Sequence, residues 1–424
     1  MPRTAWAKIA LCLAFMAPGV VFRLTGFAPN PVVDLFIFGG AVVAASFLLA
    51  WAAEAAQLDI SGPLAIAILA LIAVLPEYAV DLYYAFRSGY DPSYEQFAAA
   101  NMLGSNRLLL GFGWPLVVFV AIIVAARAIR AGKNRTGDAR IEGGSAFLQL
   151  DGGVRMEIGF LVLLAVVAFL IPLFGTIPMW FGLILILVFV AYLWRAGQAE
   201  QGDDEELVGM AANIGALPQR RRRITVIALF VIAATVILAS AEPFATALVD
   251  SGSKLGIDSF FLVQWLAPLS SEAPEFIVAI LFALRGNGAA AIGTLIASKV
   301  NQWSLLVGSL PIAHALGGGG FDVILDARQT EEFVLTASQT LMGVAIIIGL
   351  RFHRWAAIAL IALFAVQFAV TGTTGRYILS AVHLLIALVV FWTQRRNILP
   401  TFAAPFRRPV SEPETTEHAP VVQR

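Results

Sequence analysis

Long apolar stretches separated by short polar ones repeat along the whole chain, a pattern too coarse for a soluble core. The hydrocarbon layer of a bilayer, ~30 Å thick, needs about twenty apolar residues per spanning helix. Twelve stretches qualify: 4–22, 33–51, 62–86, 97–129, 156–174, 178–195, 224–249, 257–284, 289–316, 332–350, 355–371 and 377–393. The pattern predicts an all-α polytopic membrane protein of about 12 transmembrane helices. The opening segment, with Arg3 and Lys8 before an apolar run, has the look of a secretory leader. No small-x-small cleavage site follows Phe15 to Val20, so it reads as a retained helix.

Charge then orients the spans. Arg3, Lys8, Arg130, Lys133, Arg135, Arg140, Arg155, Arg220 to Arg223, Arg285, Arg351, Arg354, Arg395, Arg396, Arg407 and Arg408 all fall on one side. Only Arg23, Arg87, Lys254, Arg328 and Arg376 fall on the other. This bias places both termini in the cytoplasm, with the plasma (inner) membrane as the expected location. Splitting the stretch 97–129 would scatter the basic loops over both faces, so it reads as one long or tilted helix. The Arg220 to Arg223 run beside Asp203, Asp204, Glu205 and Glu206 reads as a topology signal in a solvated loop.

Composition removes several function classes. Hydrophobic residues make up 59% and charged residues 13% of the chain, with mean hydropathy +0.83, so the solvent is lipid. Net charge is zero, so total charge says nothing about nucleic acid or acidic partners, and no nucleic-acid partner is expected. The one cysteine, Cys12, excludes an internal disulfide or cysteine-based metal site. No phosphate loop, zinc spacing or nucleophile motif is present, so neither enzyme activity nor a cofactor is expected. His314 reads as a packing residue, and Trp6, Trp180, Trp194 and Trp392 as an interfacial belt.

Two segments resemble each other. The first reads AVLPEYAVDLYYAFRSG from Ala73 and continues to ANMLGSNRLLLGFG; the second reads SEAPEFIVAILFALRGNG from Ser271 and continues to GTLIASKVNQWSLLVG. Pro76-Glu77 falls on Pro274-Glu275. Asn101, Gly104, Ser105 and Asn106 fall on Thr294, Ala297, Ser298 and Lys299, once extra residues around Asp91 to Glu95 are allowed for. Proline removes an N–H and displaces a carbonyl one turn earlier, freeing backbone oxygens near Ala73 and Ser271. At membrane depth such oxygens must face protein, water or an ion. A glutamate after each break adds a carboxylate, and Asn101, Ser105, Thr294 and Ser298 add neutral oxygens, a set suited to hard cations. Five spans separate the copies, so the second is inverted, with the site at the midplane between them.

The paired PE and GSN segments and the inverted five-helix halves resemble the sodium/calcium exchanger family of the calcium/cation antiporter superfamily, of which this chain looks a divergent, bacterial-type member. The resemblance covers roughly residues 33–371. It implies secondary active antiport of Ca2+ against Na+, K+ or H+ by alternating access, with Glu77 and Glu275 as central acidic ligands. Residues Ala73, Asn101, Ser105, Ser271, Thr294 and Ser298 would supply the flanking oxygens. The domains expected are an extra helix at 1–32, a first repeat at 33–196, a cytoplasmic loop at 197–223, a second repeat at 224–372, an extra helix at 373–394 and a disordered tail at 395–424. The partners expected are inorganic cations and the lipid bilayer.

The sequence departs from that family where hydroxyls precede the first Pro-Glu, here Ala73-Val74, and where an Asn is usual in the second repeat, here Lys299. Arg107 adds another positive charge. A charge at the bilayer centre costs at least ~2.5–3.5 kcal/mol, so both need partners, sought among Glu77, Asp81, Glu242, Glu272 and Glu275. Lys299 has three readings: a structural ion pair, a tethered surrogate for a cation, or a proton-coupled amine in a cation/H+ antiporter. A channel would need a continuous pore, which a midplane site between inverted repeats argues against, while a scaffold or sensor whose site the basic residues lock remains open. An intramembrane enzyme using Glu77, Asp81 and Glu275 is disfavoured by the missing nucleophile.

Overall fold

A computed structural model describes residues 2–59, 74–132, 137–198, 207 and 209–407. In the first half, α1 (Arg3–Thr25) and α2 (Pro31–Ala56) precede α3 (Leu75–Ser88), α4 (Ala100–Leu108), α5 (Trp114–Arg130), α6 (Arg155–Val167), α7 (Leu170–Phe174) and α8 (Met179–Ala196). The short α9 (Gly209–Gly215) leads to α10 (Gln219–Leu255), α11 (Ser259–Ser271), α12 (Ala273–Leu284), α13 (Gly288–Asn301), α14 (Val307–Leu316), α15 (Ala327–Ile347), α16 (Arg354–Ala369), α17 (Thr373–Thr393) and α18 (Arg395–Ala403). Among the described residues, seven helical runs are long and apolar enough to cross a membrane. An eighth is α11 with α12, bent by 50°, and α16 is a shorter apolar helix. Residues 62–73 of the predicted stretch 62–86, Ala73 included, lie outside the described residues, as do Lys133, Arg135 and the acidic run Asp203 to Glu206.

Local chemistry sets the helix ends. Asn30 accepts from the Val32 N–H at 2.9 Å ahead of Pro31, whose missing N–H costs nothing at that position. Asp326 and Gln329 form a capping box at the start of α15. Gly26 and Gly256 close α1 and α10 in the left-handed conformation.

The inverted repeat is visible in the backbone. Val74 and Glu272, three residues before the two glutamates, have nearly the same dihedral angles, φ −87°, ψ 4° and φ −88°, ψ −3°. A π-turn follows each polar helix, Leu109–Gly113 after α4 and Gln302–Leu306 after α13. These occupy matching positions in the alignment that pairs Asn106 with Lys299. Short strands, which a purely helical reading passes over, obey the same symmetry. Strand β3 (Thr176–Pro178) pairs with β4 (Asp322–Ile324), and the hairpin of β1 (Ala139–Glu142) and β2 (Ser145–Gln149) pairs with β5 (Arg351–His353). One span, α6 and α7, separates β2 from β3, so the two sheets lie at opposite membrane ends.

Three apolar cores divide the helices, one of them built by α2, α3, α10 and α11 around Phe244. Helices α2 and α10 pack along each other and, with α1 and α9, enclose a second core. The largest core joins α4 to α8 and α12 to α17. The expected disordered tail is corrected over its first part: residues 395–403 are helical and seat on α6. Arg155 Nη1 donates to Thr401 Oγ1 at 3.1 Å, and Arg195 Nε donates to the Pro405 carbonyl at 2.9 Å. Gly159 leaves the space that Pro405 and the Thr401 carbonyl fill, since a Cβ there would lie 2.6 Å from both.

Candidate cation site

Both α3 and α12 carry a carboxylate in the first turn, Glu77 and Glu275. Pro76 and Pro274 sit just ahead, where a helix has no use for an N–H. Between them lies a small cavity lined by Val74, Pro76, Glu77, Ser271, Glu272, Glu275 and Ser298. Glu77 Oε1 and Glu275 Oε2 are buried without a hydrogen-bond partner. A buried, unpartnered carboxylate oxygen is costly, and the cost falls when a cation meets it.

Around the cavity Tyr78 of the first repeat donates to Asn301 Oδ1 of the second at 2.9 Å, and within the second repeat Gln302 Nε2, in its π-turn, donates to Glu272 Oε1 at 2.7 Å. Lys299 Nζ donates to the Asn106 carbonyl at 2.9 Å and to Asn106 Oδ1 at 2.8 Å. Positions 106 and 299 are equivalent in the repeat, so this is the contact that equivalent residues make where they meet a two-fold axis. Gly104 permits the close packing of α4 on α11: a Cβ there would fall 1.6 Å from the Gln264 carbonyl oxygen. The carboxylates of Glu77, Asp81, Glu272 and Glu275 are near enough to interact electrostatically, with Lys299 adding an opposite charge near Glu272.

The expected ligands separate into groups. Glu77, Glu275, Ser271 and Ser298 line the cavity, joined by Glu272, which the sequence offered only as an ion-pair partner. Ser105 is fully buried beside Glu77 and Glu272. Asn101 is fully buried beside Asp81, away from the cavity lining. Thr294 is exposed, and its hydroxyl donates to the Ala290 carbonyl at 3.1 Å. Ala73 lies outside the described residues. Among the described residues no three Asp, Glu, His or Cys side chains converge as a ready metal cluster. The carboxylates of Glu77, Glu272 and Glu275 line the cavity instead, and hydroxyl and backbone oxygens must complete the six to eight that a Ca2+ ion takes.

Lys299 has the expected Glu272 nearby, whereas Arg107 finds a partner outside the expected set. Arg107 pairs with Glu332 of α15 at 2.5 Å, both side chains buried, and donates to Gln367 Oε1 at 3.2 Å. Glu332 and Glu331 also receive Arg376 from the start of α17. Glu242 is exposed and pairs with Arg23 at 2.7 Å. The sequence offers as signal for Arg107's partner only the adjacent acids Glu331-Glu332, at the polar start of an apolar stretch. His314 packs as expected, its Nδ1 2.8 Å from Ser88 Oγ.

Inverted repeats, broken helices and a carboxylate-lined cavity between them define a secondary cation antiporter, and a multi-pass membrane protein. The sequence matches the family described as sodium/calcium exchanger protein over residues 31–197 and 225–372, and the chain belongs to that family. It is similar to the crystal structure of the H+/Ca2+ exchanger CAX, with 36% identity, 96% of this chain and 98% of that chain covered, and a TM-score of 0.85. The fold is shared with the Ca2+/H+ antiporter protein YfkE, at 16% identity, 91% and 100% coverage and a TM-score of 0.57. No curated protein matches the sequence.

Proposed function

We propose that this antiporter exchanges Ca2+ for H+ across the cytoplasmic membrane, both cargoes using Glu77 and Glu275 in turn as the site opens to one face and then the other. The observation that carries the reading is the cavity at the paired helix breaks, with an unpartnered carboxylate oxygen from each repeat. Similarity to an H+/Ca2+ exchanger over nearly the whole chain favours the proton as counter-ion. The protein acts as a transporter and not as an enzyme, with ions as cargo and no resident cofactor. Both termini face the cytoplasm, as the basic loops direct.

Lys299 and Arg107 serve as fixed pairs. Each is held by a partner outside the cavity lining, Asn106 and Glu332, so neither locks the site as a scaffold would need. The test is Ca2+ uptake by proteoliposomes under an imposed pH gradient, with internal pH recorded. Glu77→Gln and Glu275→Gln should each reduce exchange on the order of a hundredfold, since charge count sets Ca2+ affinity at oxygen sites. Full exchange in both variants would refute the reading. Uptake driven by a Na+ gradient and indifferent to pH would replace H+ by Na+.

A further inference from the structure

Helices α3 and α4 face each other through two rungs of polar groups. Glu77 lies beside Ser105, and Asp81, four residues on, lies beside Asn101, four residues back. At 1.5 Å per residue the rungs are ~6 Å apart along α3. The second rung is outside the cavity lining. Asp81 and Asn101 are 0% exposed. Both carboxyl oxygens of Asp81, and both Oδ1 and Nδ2 of Asn101, lack a hydrogen-bond partner. None of the ion pairs among the described residues includes Asp81. Arg87, the basic residue nearest along α3, is engaged by Tyr83 Oη at 2.7 Å and by Asp91.

We propose that Asp81 and Asn101 form a second subsite for a hard divalent cation, through which the ion passes between the cavity and one face of the membrane. The proposal rests on the Ca2+ exchange argued above and adds a station to its route. A carboxylate and an amide oxygen are hard donors suited to Ca2+. Ser105 Oγ, also unpartnered, belongs to the first rung, one helical turn from Asn101, and can take the ion from the second. One carboxylate against the three of the cavity makes this a weaker stop, which conduction through successive sites requires.

The subsite has no twin. In the second repeat the position of Asp81 is Ala279 and that of Asn101 is Thr294, whose hydroxyl serves its own helix. The route is therefore polar on one side of the cavity and apolar on the other. The two membrane faces should differ in apparent Ca2+ affinity, and the difference should depend on Asp81.

The experiment uses the full chain in proteoliposomes of defined orientation, with initial radioactive Ca2+ uptake measured from each face. Asp81→Asn is expected to raise KM at the face toward which the Arg87 end of α3 points, shifting the ratio of the two KM values about tenfold. Asn101→Asp adds a charged ligand and is expected to shift the ratio the opposite way, which decides the matter if Asp81→Asn fails to fold. A ratio unchanged in both variants, with wild type exchanging Ca2+, would overturn the subsite alone. Wild type that exchanges no Ca2+ in the same vesicles would overturn the reading beneath it as well.

Discussion

Lys299 stands where its repeat mate is an asparagine, and its ammonium donates to both the backbone and the side-chain oxygen of that mate, Asn106. A buried acceptor stripped of its donor costs ~1–3 kcal/mol, whereas an amide can replace the ammonium as donor to another amide. Lys299→Leu should therefore lower the thermal unfolding midpoint in detergent clearly more than Lys299→Asn; equal losses would mean that the Asn106 bond matters little. The glutamates of the site were legible because proline and glutamate together inside an apolar stretch serve no packing purpose. The fate of Thr294 was not, since a threonine inside a helix can bond its own preceding turn as readily as a ligand, and spacing does not distinguish the two.

The elements are held by ionic ties at two depths. In the interior, Arg107 of α4, Glu332 of α15 and Arg376 of α17 form a chain, with the Arg107 guanidinium also 4.9 Å from the Trp265 ring centroid. Removing one member of a buried pair strands the other, a loss of about 3–5 kcal/mol, while replacing both by apolar residues costs far less. Glu332→Gln should thus destabilise the protein strongly, and Arg107→Leu with Glu332→Leu should recover much of the loss when chemical unfolding is followed. Outside the span, Asp59 beyond α2 is gripped by Arg222 at 2.7 and 2.9 Å and by Arg223 at 3.1 Å, at the start of α10. These bonds, Arg222 first, hold the Asp59 carboxyl down to about 2. A depressed carboxyl contributes its stabilisation fully above the unfolded value near 4 and loses it as pH falls through about 2. Asp59→Asn should accordingly lower the melting midpoint at pH 7, and the gap from wild type should close only in strong acid. A gap that closes by pH 5 would count against the tie. The pairs themselves were beyond a reading of the sequence, because each joins residues distant along the chain and brought together only by packing.

Across the whole molecule, the two-fold relation ties fold to function. The matched breaks at Val74 and Glu272, the matched π-turns and the two small sheets at opposite ends show one plan used twice in opposite senses. Two inverted halves of one plan give the cavity two nearly equivalent ways to open, which is what alternating access needs. That plan was legible in the sequence through the Pro-Glu and small-polar segments, because lipid forbids such residues without a use. The helical seat of residues 395–403 was not, since a polar, proline-containing tail reads as solvated until Gly159, Arg155 and Arg195 are seen to receive it. The most direct test of the central claim is Ca2+ uptake into proteoliposomes driven by a pH gradient, compared between wild type and Glu275→Gln. The account predicts gradient-driven uptake with matching proton movement in wild type and its loss in the variant; uptake that persists in Glu275→Gln would contradict it.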